Sequence, residues 1–76
     1  MKIRWSFTER WGYSGIDEEG NIYNQGQLRE TTSVIMPDGR SGGDWTPKQA
    51  LENAKSGQPT ENYELEKARW LPYETA

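Results

Sequence analysis

Carboxylates are the most numerous groups that could do chemistry here: the chain has twelve Asp and Glu against nine Lys and Arg, with neither His nor Cys. Without histidine the commonest general base and metal ligand is missing, and without cysteine there is no thiolate nucleophile, zinc tetrathiolate or disulfide framework. Catalysis would need a Ser or Thr with a Lys base, or paired carboxylates. Six of the carboxylates fall in two runs, Asp17-Glu18-Glu19 and Glu61 with Glu64 and Glu66. Neighbouring acids in a turn point in different directions and stay solvated, so the expectation is a protein that is not an enzyme.

Two further constellations are weighed and set aside. Asp17, Glu19 and Asn21 have the alternating oxygen-ligand spacing that opens a calcium loop, but the glycine and the closing glutamate of such a loop are missing. The stretch GRSGGDWTPK places glycines before a helix start, where phosphate binds well. Asp44 would repel a phosphate there, and Pro47 removes a donor. No metal, cofactor or small-molecule substrate is expected.

Nine aromatic residues, four of them Trp, stand out in a chain of 76 residues with 32% hydrophobic content. A domain this small buries only about 60% of the surface its unfolded chain exposes. Such a core cannot hide nine rings, so some serve as exposed anchors, with Arg10, Arg40 and Arg69 near them in sequence. The candidate partner-binding residues are Trp11, Tyr13, Asp17, Glu18, Glu19, Trp45, Glu64, Glu66, Trp70 and Tyr73. The net charge of −3, with no basic run, argues against strong non-specific duplex binding. The opening MKIRWSF lacks the apolar run of a signal peptide, and no segment is long enough to span a bilayer. A cytoplasmic location is the expectation.

These side chains are positioned by a simple grammar of elements. Residues 2 to 8 alternate, with Ile3, Trp5 and Phe7 on one face, and read as a half-buried strand. Asp17 to Asn21 reads as a hairpin turn and Ile22-Tyr23 as its return strand. Leu28 to Met36 reads as a long strand, Pro37 to Arg40 as a turn, and Ser41 to Asp44 as a flexible bridge. A helix is expected over residues 46–56, with Thr46 as N-cap, Pro47 in the first turn, Gln49 completing a capping box, and Gly57 as a left-handed C-terminal residue. Residues 60–73 fit a helix with Leu65, Ala68 and Leu71 on one face, or a strand; a final strand that closes the sheet is favoured. The expected fold is one α+β domain over residues 1–76, an antiparallel sheet of three to four strands packed by one capped helix, in the order ββ(β)αβ.

Ile3 to Tyr23 resembles the start of cold-shock domains, with Arg4, Trp5 and Phe7, then Arg10, Trp11, Gly12, Tyr13 and Ile16, then the acidic turn. The resemblance implies base stacking on Trp5, Phe7, Trp11 and Tyr13, hence binding of single-stranded nucleic acid. It departs at Ser14-Gly15 and at Ile22 to Gln25. In size, charge and lack of catalytic residues the chain also looks like the small inhibitors that phages use against bacterial defence complexes, anti-CRISPR proteins among them, a likeness of type that rests on no motif. Three functions follow as expectations. The first is a macromolecule-binding inhibitor that sets acidic and aromatic residues against a larger protein or nucleoprotein complex. The second is the single-strand binder, and the third an accessory subunit of a larger assembly.

Overall fold

A computed structural model describes residues 2–72; the expected anchor Tyr73 lies outside the described residues. Five strands, β1 (Ile3–Thr8), β2 (Gly12–Asp17), β3 (Ile22–Gln25), β4 (Thr32–Ile35) and β5 (Ser41–Asp44), precede two helices, α1 (Pro47–Ala54) and α2 (Tyr63–Trp70). The strands form one antiparallel meander in chain order. The α+β class and the antiparallel sheet agree with the sequence reading, but the order is five strands and then two helices.

Period-two alternation splits each strand between the two sheet faces. Tyr23 and Val34 face one side and pack with Ala50 and Ala54 of α1, flanked by Ile3, Trp5, Met36 and Leu51. Ile16, Ile22 and Ile35 face the other side and pack with Leu71, Tyr63 and Trp70. The sheet therefore sits between two short helices, with a thin apolar cluster on each face. Buried isoleucines in adjacent register, Ile16 opposite Ile22 and Ile22 opposite Ile35, form the row that α2 crosses.

The glycine-rich bridge is the fifth strand, because packing requires it to be bare. A Cβ added at Gly42 would stand 2.5 Å from the backbone nitrogen of Ala54 and 2.9 Å from its Cα. Glycine lets α1 lie directly on the backbone of β5, where any side chain would hold it off. Thr46 caps α1 as expected: its hydroxyl accepts from the Gln49 amide at 3.2 Å. The reciprocal half of the capping box is absent, since the Gln49 side chain turns to Asn53 instead. Gly57 is not left-handed; it is a close approach, its Cβ position 3.1 Å from the carbonyl oxygen of Ser41.

The expected final strand is a helix. Asp38 and Gly39 hold the linker that leads to it: the Thr60 amide donates to the Asp38 carbonyl at 3.1 Å and its hydroxyl to the Gly39 carbonyl at 3.1 Å. This tether carries the chain around the β4–β5 turn to the sheet face opposite α1. Glu64 and Glu66 sit in the first turn of α2 and Lys67 and Arg69 in its last, as the helix dipole favours. Leu65 and Ala68 do not form the buried stripe; both are exposed, and Tyr63, Trp70 and Leu71 make the contact instead. The long strand expected from Leu28 shrinks to β4, since residues 26–31 form an exposed loop with Leu28 79% exposed. No helix among the described residues is long and apolar enough to cross a membrane.

Candidate functional site

The meander sorts the charged turns by end. The β2–β3 and β4–β5 turns lie at one end of the sheet, and the β1–β2 and β3–β4 connections at the other. Asp17, Glu18, Glu19 and Asp38 therefore share one end. The β2–β3 turn closes with the Asp17 amide donating to the Asn21 carbonyl at 3.1 Å and the Gly20 amide to the Asp17 carbonyl at 3.2 Å. Gly20 takes the positive φ of +89° that this bulged turn needs. Tyr63 joins α2 to this end by donating its hydroxyl to the Gly20 carbonyl at 2.6 Å. Burial raises the Tyr63 pKa, and the charges of Glu64 and Asp17 raise it further. The Tyr63 hydroxyl thus ties the start of α2, where Glu64 follows it in the chain, to the acidic β2–β3 turn.

Asp17 differs from its neighbours. Its Oδ1 accepts from the backbone amides of Glu19 and Asn21, both at 2.9 Å. Its Oδ2 accepts from the Asn21 side-chain amide at 2.9 Å and from the Tyr23 hydroxyl at 2.7 Å. Burial pushes its pKa up, but the donated hydrogen bonds outweigh burial and hold it below the ordinary value. Tyr23 is pushed up by burial and by the same carboxylate. With both oxygens engaged, Asp17 braces the turn, while Glu18 and Glu19 remain exposed at its tip. Among the described residues no group of three acidic side chains stands where it could hold a metal ion.

A cleft of about 350 Å3 opens between α2 and the β4–β5 half of its sheet face. Ser33, Ser41, Gly42 and Gly43 form its floor, and Asn62, Glu66 and Trp70 line its helical side. Glu66 and Trp70 are four residues apart, hence neighbours on one helix face. The Glu66 carboxylate, 21% exposed, also accepts from Arg69 at 3.3 Å. Tryptophan beside a carboxylate over a floor of hydroxyls and bare backbone suits a cation with hydrogen-bond donors.

At the opposite end, the Trp11 ring lies 4.8 Å from the Arg10 guanidinium and 5.9 Å from that of Arg69. Arg69 thus serves Trp11 rather than its sequence neighbour Trp70. Arg40 does not approach Trp45; it pairs with Asp38 at 2.7 Å and donates to the Lys55 carbonyl at 3.0 Å. Tyr13 is on the α1 face, packed edge-on against Phe7 with centroids 5.1 Å apart, under the Arg29 guanidinium at 4.5 Å. Trp45 lies at the β5–α1 junction, 69% exposed.

The expected site residues therefore divide into five places. Asp17, Glu18, Glu19 and Glu64 gather at the acidic end, Glu66 and Trp70 share the cleft, Trp11 and Tyr13 lie on opposite sides of the sheet, and Trp45 is apart. Sequence reasoning missed Arg29, a loop residue at φ 55° whose guanidinium covers Tyr13 and also donates to Gln25 at 2.9 Å. It also missed the hydroxyl and glycine floor. The one available signal for that floor was the small-residue run Ser41-Gly42-Gly43, which reads equally well as a linker.

Fold and surface together define a small α+β protein with an acidic end and an aromatic–carboxylate cleft. No family of known proteins, no curated protein and no solved structure gives a significant match to the chain.

Proposed function

We propose that the protein is a non-enzymatic binding module whose partner is a larger protein or nucleoprotein complex with a basic surface. The pairing of Glu66 with Trp70 on the wall of one cleft carries this reading. A lysine or arginine side chain of the partner enters that cleft, its charge between the indole face and the carboxylate, its donors on the serine hydroxyls and β5 backbone. The acidic end formed by Glu18, Glu19 and Glu64 steers the approach. A protein of this kind works as an inhibitor when it occupies a channel that otherwise holds nucleic acid, as phage inhibitors of defence complexes do.

The test is tryptophan fluorescence during titration with an oligo-arginine peptide, and separately with a mixed-sequence single-stranded oligonucleotide. The expected result is saturable quenching by the peptide, weaker at raised salt, reduced at least tenfold in apparent affinity by Glu66→Gln. Glu30→Gln, the same change in net charge on a remote loop, leaves the peptide affinity within twofold. Equal effects of the two variants would reduce binding to bulk charge and refute the cleft.

A second reading has its own observation. Trp5, Phe7 and Tyr13 lie on one sheet face beside Arg29, with Phe7 52% exposed. Such a ledge suits bases, each stack contributing about 1–3 kcal/mol. Quenching by the oligonucleotide but not by the peptide would select it.

A further inference from the structure

The two edges of the sheet are treated differently. Along β5 the edge is closed. The Met36 amide donates to the Arg40 carbonyl at 2.8 Å, so Arg40 faces β4. Backbone direction alternates along a strand, which turns Ser41 and Gly43 outward. The Asn53 side-chain amide donates to the Gly43 carbonyl at 2.9 Å, and the chain following α1 lies against Ser41 at Gly57.

Along β1 the same alternation gives the opposite result. The Asp17 amide donates to the Asn21 carbonyl, so Asp17 faces β3, and Ile16, Ser14 and Gly12 face β1. Their partners Arg4, Ser6 and Thr8 bond inward. Ile3, Trp5 and Phe7 therefore direct their amides and carbonyls outward, and among the described residues no turn or loop backbone bonds to these groups. The strand has no proline and no bulge, and its two charges, Arg4 and the preceding Lys2, both lie on the face away from α1, outside the Ile3–Trp5–Phe7 row.

We propose that this edge pairs with β1 of a second copy about a two-fold axis centred on Trp5. A two-fold axis perpendicular to the sheet keeps each residue on its own face, so only residues of like parity can stand opposite. Centred on Trp5, Ile3 meets Phe7 and Trp5 meets Trp5 on the α1 face, while Arg4 meets Ser6 and Lys2 meets Thr8 on the other. Every outward-bonding residue meets another outward-bonding residue, in three pairs that each exchange two hydrogen bonds. Apolar side chains stand opposite apolar ones, and no two like charges are opposed. Phe7, the most exposed apolar residue of the strand, is covered by Ile3 of the other copy. The two meanders become one continuous sheet with both α1 helices on the same side. The self-matching order of IRWSFT is what selects a second copy over an unrelated strand.

The test measures mass by sedimentation and amide exchange by NMR on the full chain across a concentration series. The expected result is a concentration-dependent doubling of mass. With it, the amides of Ile3, Trp5 and Phe7 pass from fast to slow exchange, while those of Arg4, Ser6 and Thr8 are slow throughout. Phe7→Lys, at an exposed site, is expected to keep the fold and abolish the doubling. Register is checked with the single variants Arg4→Cys and Ser6→Cys, which should crosslink when mixed and not when oxidised separately. Native cysteine is absent, so a covalent dimer under oxidation reports these two positions alone. A chain that stays monomeric at millimolar concentration overturns the proposal, as does a dimer that survives Phe7→Lys or one that leaves the three edge amides in fast exchange.

Discussion

Replacing Asp17 by Asn should remove a brace whose strength depends on pH. The carboxylate accepts four hydrogen bonds, two from backbone amides of the β2–β3 turn and two from the side chains of Asn21 and Tyr23. Hydrogen bonds to a charged group contribute roughly 1.5–3 kcal/mol against about 1 kcal/mol for neutral ones. Asparagine can keep its oxygen on the two backbone amides, at neutral strength. It presents an NH2 to the Asn21 amide and the Tyr23 hydroxyl, which must then reorient to accept. Asp17 is half-exposed, so solvent screens part of the difference, and a net loss of about 2 kcal/mol remains. In a domain of this size that corresponds to a fall in Tm of roughly 8–16 °C. The folded-state pKa of Asp17 lies below its ordinary value of 3.8, so the folded protein binds fewer protons than the unfolded chain near that pH. Stability therefore increases with pH through this window. The contribution is complete above about pH 5 and is lost as pH falls from near 3.8 through the lower folded-state value. Urea midpoints of the two proteins, measured at neutral pH and again below pH 3, should show a wide gap that narrows on acidification. A gap of the same size at both pH values would refute the charge-dependent brace, as would an equal loss from Glu18→Gln at the solvated tip of the turn.

Gly42→Ala should destabilise by about 1–3 kcal/mol, because the added methyl meets the backbone of α1 rather than a movable side chain. Gly26→Ala, where nothing lies within 4 Å, should stay within about 0.5 kcal/mol of the parent in the same denaturation assay. Leu71→Ala should cost roughly 2–5 kcal/mol, since Leu71 is 1% exposed between the isoleucine row and α2. Leu65→Ala should shift the thermal midpoint little, because Leu65 is 59% exposed. Thr46→Ala should cost about 1 kcal/mol and speed amide exchange at Gln49, the residue whose N–H it leaves without its acceptor.

How much was legible beforehand varies with how local the signal was. The strand over Ile3–Thr8, the hairpin turn at Asp17 to Asn21 and the turn at Pro37 to Arg40 follow from alternation and turn chemistry alone. The start of α1 follows from Thr46 and Pro47, because a cap is satisfied within four residues of itself. These are interactions between near neighbours, and the amino-acid order contains both partners. The class, α+β with an antiparallel sheet, follows from the same local signals.

Tertiary contacts decided the rest. Ser41 to Asp44 has little strand propensity of its own; it is a strand because β4 pairs with it and α1 needs a bare surface to rest on. Tyr63–Trp70 carries both helical and alternating patterns, and the choice went to helix. The Thr60 tether delivers it to the open sheet face, where Tyr63 reaches Gly20 and Trp70 and Leu71 meet the isoleucines. Its apolar residues could not announce which face they would bury, because Leu65 and Ala68 fit a stripe that the sheet never touches. The acidic runs at 17–19 and 64–66 were visible as charge, but their convergence depends on how the chain returns around the β4–β5 turn. A carboxylate's neighbours within a turn are written in the sequence; the approach of Tyr63 to Gly20, and the cleft that Glu66 and Trp70 line, exist only once the sheet has closed beneath the helix.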